Sequence, residues 1–263
     1  MAIEIATVGD NCMDVYENLG KAFPGGNPVN VAVYICRMGG KASYTGVVGS
    51  DAYGKCMAEA LQEKGVDIPH VRKAEGSTAI THIELVNGER VMGDYEEGVL
   101  ADFTLTPEEV EYLGRHKLVV SALWGNCQQY FRDIRKFGAK IAYDAATSPD
   151  APAAMEAIPF VDYFFFSSDD GDTEALRTKM ETLHAMGPSL VIAMLGDKGS
   201  LVYNGSAYIP HGITPCEVVD TMGAGDSYIA GFLLELVNGS SIKECMQRGA
   251  DNAAETIGYF GAW

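Results

Sequence analysis

The chain has 263 residues, 47% of them hydrophobic and 21% charged, a balance that excludes a disordered chain and allows one large domain with a small appendage. Nineteen Lys and Arg against 36 Asp and Glu leave a formal charge of −17, so a nucleic-acid backbone or an anionic bilayer would be repelled over most of the surface. No apolar run approaches the ~18 residues that span a bilayer, and the opening MAIEIATVGD carries no basic leader, so the expectation is a cytoplasmic protein with neither nucleic acid nor membrane as a partner.

In chain order, a short apolar run at 3–8 closes on Gly9-Asp10, and similar runs recur at 43–48, 118–122, 141–143, 163–166 and 190–195. These read as buried strands. Segments of helical period lie between them, at 27–37, 53–64, 107–113, 128–137 and 173–186, with Thr106 and Pro107 as N-cap and first helical residue of the third. The alternation predicts one α/β domain over residues 1–263, a doubly wound and mostly parallel sheet with helices on both faces. Residues 79–86 instead alternate apolar and polar, turn at Asn87-Gly88 and resume through Arg90-Val-Met92. That is a half-exposed hairpin with no place inside such a sheet, so it is expected outside as a β lid, at about 77–98, joined by 12–24. Its apolar face, with Ile80 and Ile83 or Leu85, would be exposed in a monomer, which points to a homodimer through the lid. Further strands are expected at 200–203, 207–209 and 217–219, then helices from about Ala224 and Ile242. The six cysteines are scattered without CxxC spacing and read as core thiols.

The sharpest local pattern is Asp220-Thr221-Met222-Gly223-Ala224-Gly225-Asp226 before an apolar helix. Such a start lets backbone N–H groups converge at a helix N-terminus, a place suited to an anion. By spacing alone Asp226 is either a helix cap or a general base. A second pattern, Gly25-Gly26-Asn27-Pro28-Val29-Asn30, sets two amides three residues apart on the first turn of a helix, where they suit neutral polyol hydroxyls.

Together these stretches resemble the pfkB family of carbohydrate kinases, whose fold is ribokinase-like. The N-terminal signature matches at Gly25-Gly26-Asn27, Asn30, Ala32, Gly39-Gly40 and Gly49, and the C-terminal one from Asp220 to Leu233. The resemblance implies an ATP-dependent, Mg2+-requiring kinase acting on a primary hydroxyl of a sugar. It makes Asp226 the base, with the backbone of Gly223, Ala224 and Gly225 as the anion cradle. Sugar hydroxyls fall to Asp10, Asn11, Asp14, Gly25, Gly26, Asn27 and Asn30. Gly196, Lys198, Gly199, Thr221, Gly223, Gly225 and Asn252 would meet ATP. The absence of a GxxxxGK[ST] loop fits a family that holds ATP by a different loop. Where relatives carry Asn-x-x-Glu for magnesium this chain has Ser167-Ser-Asp-Asp170, so Asp170 is the expected metal-side carboxylate, and a monovalent-cation requirement stays open.

The similarity extends to the fructoselysine kinases of the family, which implies the 6-hydroxyl of fructoselysine as acceptor and Arg90 on the lid as partner of the lysine carboxylate. Fructokinase, ribokinase or nucleoside kinase activity is the alternative within the family. A sugar-binding regulator, or a scaffolding α/β protein, is the alternative outside it.

Overall fold

Alternate side chains of the short apolar runs enter two different cores, one on each side of a sheet. Ile5, Leu118, Val120, Phe165 and Ile192 enter one core, while Ala6, Val119, Phe164, Phe166 and Val191 enter the other. The computed structural model describes residues 4–86 and 89–263, together with the backbone but not the side chains of Leu85, Val86, Glu89, Arg90 and Met92. The expected Asn87-Gly88 turn and the Arg90 side chain therefore lie outside the described residues.

The chain opens with β1 (Ile5–Val8), β2 (Cys12–Tyr16), β3 (Lys21–Gly25), α1 (Asn27–Arg37), β4 (Ala42–Gly49), α2 (Ala52–Glu63) and β5 (Asp67–Ala74). The hairpin β6 (Ile80–Val86) and β7 (Glu89–Glu96) follows, then α3 (Pro107–Gly114), β8 (Leu118–Ala122), α4 (Phe131–Arg135), β9 (Lys140–Asp144) and α5 (Pro152–Ala157). The last third holds β10 (Tyr163–Ser167), α6 (Glu174–His184), β11 (Leu190–Met194), β12 (Ser200–Tyr203), β13 (Tyr208–His211), α7 (Ala224–Asn238) and α8 (Ile242–Thr256).

Nine strands form one sheet in the order β13-β12-β11-β10-β9-β8-β1-β4-β5, parallel from β5 to β11 and antiparallel at β12 and β13. The direction of winding reverses beside β1, which pairs with both β4 and β8. In such sheets ligands bind outside the carboxyl ends of the strands at this switch. Residues 9–11 after β1 and Asp144 at the end of β9 lie on that rim. Helices α1, α2, α7 and α8 cover one face, and α3, α4, α5 and α6 the other. Thr106 caps α3 in a capping box with Glu109, as the Thr-Pro pair predicts.

The hairpin grows into a separate sheet of order β3-β2-β6-β7, with β2 parallel to β6. This is the lid. His82 on β6 stands 3.1 Å from both Glu17 and Glu96 and ties its strands together. Of the expected apolar face, Ile83 is buried, Ile80 is half-buried and the Leu85 side chain lies outside the described residues, while Met13 and Tyr16 are buried and Tyr16 and Phe23 pack with Phe260.

Three other expectations need correction. Residues 217–219 are not a strand; the N–H groups of Val219 and Asp220 donate to the Ile257 carbonyl, and Val218 and Val219 stay exposed. The expected helix at 128–137 is a 3₁₀ turn at 128–130 followed by the short α4. Strand β5 and helix α5 were not anticipated.

Candidate active site

Helices α2, α3, α6 and α8 each begin on a side-chain cap, whereas α1 and α7 begin on Gly26 and Gly223. At both glycines the backbone is left-handed, with φ of +108° and +72°, and a Cβ would stand 2.6 Å from Asn11 Cα or 2.2 Å from Tyr34 Oη. Glycine is therefore required at both starts. These two helix starts meet, because Asn27 opens α1 and Asp226 lies in the first turn of α7.

Asn27 Nδ2 donates to Asp226 Oδ1 at 2.7 Å and to Asp144 Oδ2 at 2.6 Å, while Asn30 Nδ2 donates to Asp226 Oδ2 at 2.7 Å. The amides expected to face sugar hydroxyls thus have their donors on a carboxylate. Burial, and then the charges of Asp144, Asp10 and Asp14, push the Asp226 carboxyl well above the usual carboxylate range against the Asn30 donor. The N–H of Ala224, expected in the anion cradle, donates to the Thr221 carbonyl at 3.2 Å.

Burial lifts Asp10 to about 6 although the Asn27 N–H donates to its Oδ2 at 3.2 Å; the charge of Asp144 adds to the rise. Asp144 is lifted to about 6 by burial alone, against donors from Ala146 and Asn27. Ala146 holds a φ of +50° to make that contact, a strained backbone of the kind found at functional sites. Asp144 had no motif around it in the sequence, and its place at the carboxyl end of a strand was the available signal. Asp10 Oδ1, Asn27 Oδ1 and Tyr143 Oη are buried without a hydrogen-bond partner among the described residues. Each such group costs roughly 1–3 kcal/mol, an arrangement suited to a polar ligand. Among the described residues, no Lys or Arg is among the main influences on the ionisation of Asp10, Asp144 or Asp226.

The lid closes on the same place. Asp14 on β2 is buried, and Gly25 on β3, across from Cys12, leaves it room, since a Cβ there would lie 2.8 Å from Asp14 Oδ2. Tyr95 on β7 has its phenol raised by burial and next by the Asp10 carboxyl. Asn11, expected among the sugar ligands, is turned into the core instead, where its amide donates to Tyr44 Oη and the Val47 carbonyl at 2.8 Å each.

A carboxyl raised from 3.8 to about 6 on folding adds stability below the unfolded value and loses it as pH rises through 6. Asp10→Asn should therefore gain on the parent by about 2.5 kcal/mol between pH 4 and pH 8, at roughly 1.4 kcal/mol per pH unit between the two pKa values. Urea unfolding of both proteins at the two pH values checks this; a pH-independent difference would contradict it.

Of the residues expected to meet ATP, 196–198 form a tight turn between β11 and β12. Gly196 stands in open space, and Gly199 is fixed by the His211 carbonyl, 2.1 Å from where a Cβ would be. Lys198 Nζ donates to the Asp169 carbonyl at 2.7 Å, which ties this turn to the exposed loop that carries Asp170. No three His, Cys, Asp or Glu side chains group at metal-binding distance among the described residues. Thr221 is exposed at the loop before α7. Asn252 does not face this space: it is buried, donates to the Ser227 carbonyl at 2.7 Å and accepts from Arg37 at 2.6 Å. Arg37, which the sequence did not single out, also reaches Thr256 and Tyr259 and joins α1 to α8.

Residues 5–263 match the family described as pfkB family carbohydrate kinase, and the chain belongs to that family. It is 43% identical to fructoselysine 6-kinase of Shigella flexneri and 42% identical to that of Escherichia coli strain K12, in each case over 98% of this chain and 99% of the relative. A fructosamine kinase of Bacillus subtilis is 27% identical over 99% of this chain and 93% of its own. Arabidopsis thaliana ribokinase, solved with ribose and ATP, superposes with a TM-score of 0.88 at 23% identity, covering 99% of this chain and 94% of that one, which establishes the ribokinase-like fold.

Proposed function

We propose that this carbohydrate kinase transfers the γ-phosphoryl group of ATP to the 6-hydroxyl of fructoselysine. The observation that carries the reading is a cluster of four carboxylates, Asp10, Asp14, Asp144 and Asp226, with no Lys or Arg of the described residues among the main influences on the charge of Asp10, Asp144 and Asp226. A neutral sugar brings nothing to offset them, whereas a sugar joined to lysine through a secondary amine brings an ammonium ion. The names of the two relatives above 40% identity support the same substrate.

Asp226 takes the proton from the acceptor hydroxyl, its ionised form held by the amide donors of Asn27 and Asn30. Gly223 and Gly225 bring backbone N–H groups at the start of α7 to the charge that develops on the phosphoryl oxygens. Asp10, Asp14, Asn27 and Asn30 orient the sugar between the Gly25-Gly26 backbone and the lid. Gly196, Lys198, Gly199 and Thr221 flank the nucleotide. Asp170 would hold a hydrated magnesium ion, which needs few protein carboxylates and would neutralise phosphate charge when bound. Arg90 on the lid is the candidate for the lysine carboxylate. The α/β body and the lid act as one unit over 1–263, in the cytoplasm where ATP is available.

The test is a comparison of kcat/KM on fructoselysine and free fructose. At least about a tenfold preference for fructoselysine is expected, because a desolvated charged contact is worth roughly 1.5–3 kcal/mol. Equal efficiency, or a preference for ribose or a nucleoside, would contradict the substrate while leaving the kinase chemistry intact.

The lid is also read as a dimer interface. Leu19 and Val91 on it are 45% and 49% exposed, apolar surface that a second copy would cover. Sedimentation at micromolar concentration should give a dimer that Val91→Lys dissociates. A parent that sediments as a monomer would contradict this.

A further inference from the structure

Asn30, in the first turn of α1, is held from both ends of its amide. Its nitrogen donates to Asp226 Oδ2 and its oxygen accepts the indole N–H of Trp263, each at 2.7 Å. An indole N–H only donates and an ionised carboxylate only accepts, so a single orientation of the amide satisfies both neighbours. We propose that Trp263 is a positioning residue for phosphoryl transfer, its N–H locking the Asn30 amide with the NH₂ toward Asp226.

The neighbouring residues hold the indole in place. Tyr34 and Tyr259 both donate their hydroxyls to the Ala262 carbonyl, and the Gly261 N–H donates to Asp220 Oδ2 at 2.7 Å. The Lys64 ammonium lies 5.6 Å from the Trp263 ring. Residues 261–263 thereby grip Asp220, where the loop into α7 begins, and also reach Asp226 through Asn30. The other charged or titratable groups facing Asp226 are Asp144 from β9, Asp10 after β1, Asp14 on β2 and Tyr34 on α1. Each of the three carboxylates disfavours its ionised form, so the amide donors are what keep it available as a base. With Trp263 silent, the Asn30 amide is free to turn its oxygen to the carboxylate, which removes a donor and adds a repulsive dipole.

The inference rests on the reading of Asp226 as the base. Trp263→Phe keeps an aromatic ring at this position, a smaller one, and removes the N–H. It should lower kcat by about three- to tenfold, the span of one neutral hydrogen bond, with the melting temperature unchanged. The acid limb of the kcat–pH profile should move to higher pH, a shift that looser packing would not produce. In an Asn30→Ala background the same substitution should have no further effect, because the two residues act through one contact. An unchanged kcat and acid limb, a loss of kcat explained by a lower melting temperature, or an undiminished effect in the Asn30→Ala background would each overturn it. A fully active Asp226→Asn would overturn the base assignment and this inference together. An inactive Asp226→Asn beside an unaffected Trp263→Phe would overturn this inference alone.

Discussion

Asp226→Asn is expected to lower kcat by about 10²- to 10⁴-fold, the usual range for loss of a general base, with little change in folding. The asparagine keeps the shape but cannot take a proton. One of its two amide contacts is lost, since an NH₂ group cannot accept from Asn27 or Asn30, at a cost of about 1 kcal/mol. Removal of a buried charge surrounded by Asp144, Asp10 and Asp14 works in the opposite direction, so the melting temperature should stay close to that of the parent. Steady-state kinetics with saturating sugar and ATP, together with thermal melts, give both numbers. A folded variant with parental kcat would remove Asp226 from the chemistry.

Gly223→Ala should damage stability and turnover together. The added Cβ meets Tyr34 Oη at 2.2 Å, and the left-handed backbone at φ +72° costs roughly 1–2 kcal/mol for a residue with a Cβ. With the contact included, a loss of about 3 kcal/mol or more is expected, or some 6–12 °C in melting temperature for a chain of this size. The start of α7 then moves, and kcat should fall by at least about 10²-fold, as when one donor to a developing oxyanion is lost. Tyr34→Phe removes the hydroxyl that the new methyl strikes. The double variant should therefore melt higher than the sum of the two single losses allows, and strict additivity would show that the contact is not the cause.

The buried parallel strands were legible because short, largely apolar runs such as Leu118–Ala122 and Tyr163–Phe166 alternate with segments of helical period. Helices α1 and α7 were legible from the glycines that open them. Strand β5, Asp67-Ile-Pro-His-Val-Arg-Lys-Ala74, was not: it is an edge strand carrying a proline and charges, without the alternation that marks a half-buried one. Val218 and Val219 misled in the other direction, since β-branched residues beside the loop into α7 remain exposed. Within the site, glycine-rich motifs pointed to Asp226, Asn27 and Asn30, but no local pattern could reveal that the amides hold the carboxylate. Asp144 and Trp263 reach the same place from 117 and 233 residues away, so only the folded topology brings them there. Asn11 and Asn252 lie in the right stretches with their side chains turned inward, a difference that depends on Tyr44 and Arg37 as partners and that no motif encodes.

The central claim is phosphorylation of a sugar–lysine adduct at the 6-hydroxyl, and the most direct measurement is product identification by ³¹P and ¹H NMR. Incubated with fructoselysine, ATP and magnesium, the protein should yield ADP and a single phosphomonoester whose phosphorus couples to the two protons on C6, with the amine linkage intact. ATP left unconsumed, or a phosphate coupled to any other position of the sugar, would contradict the account.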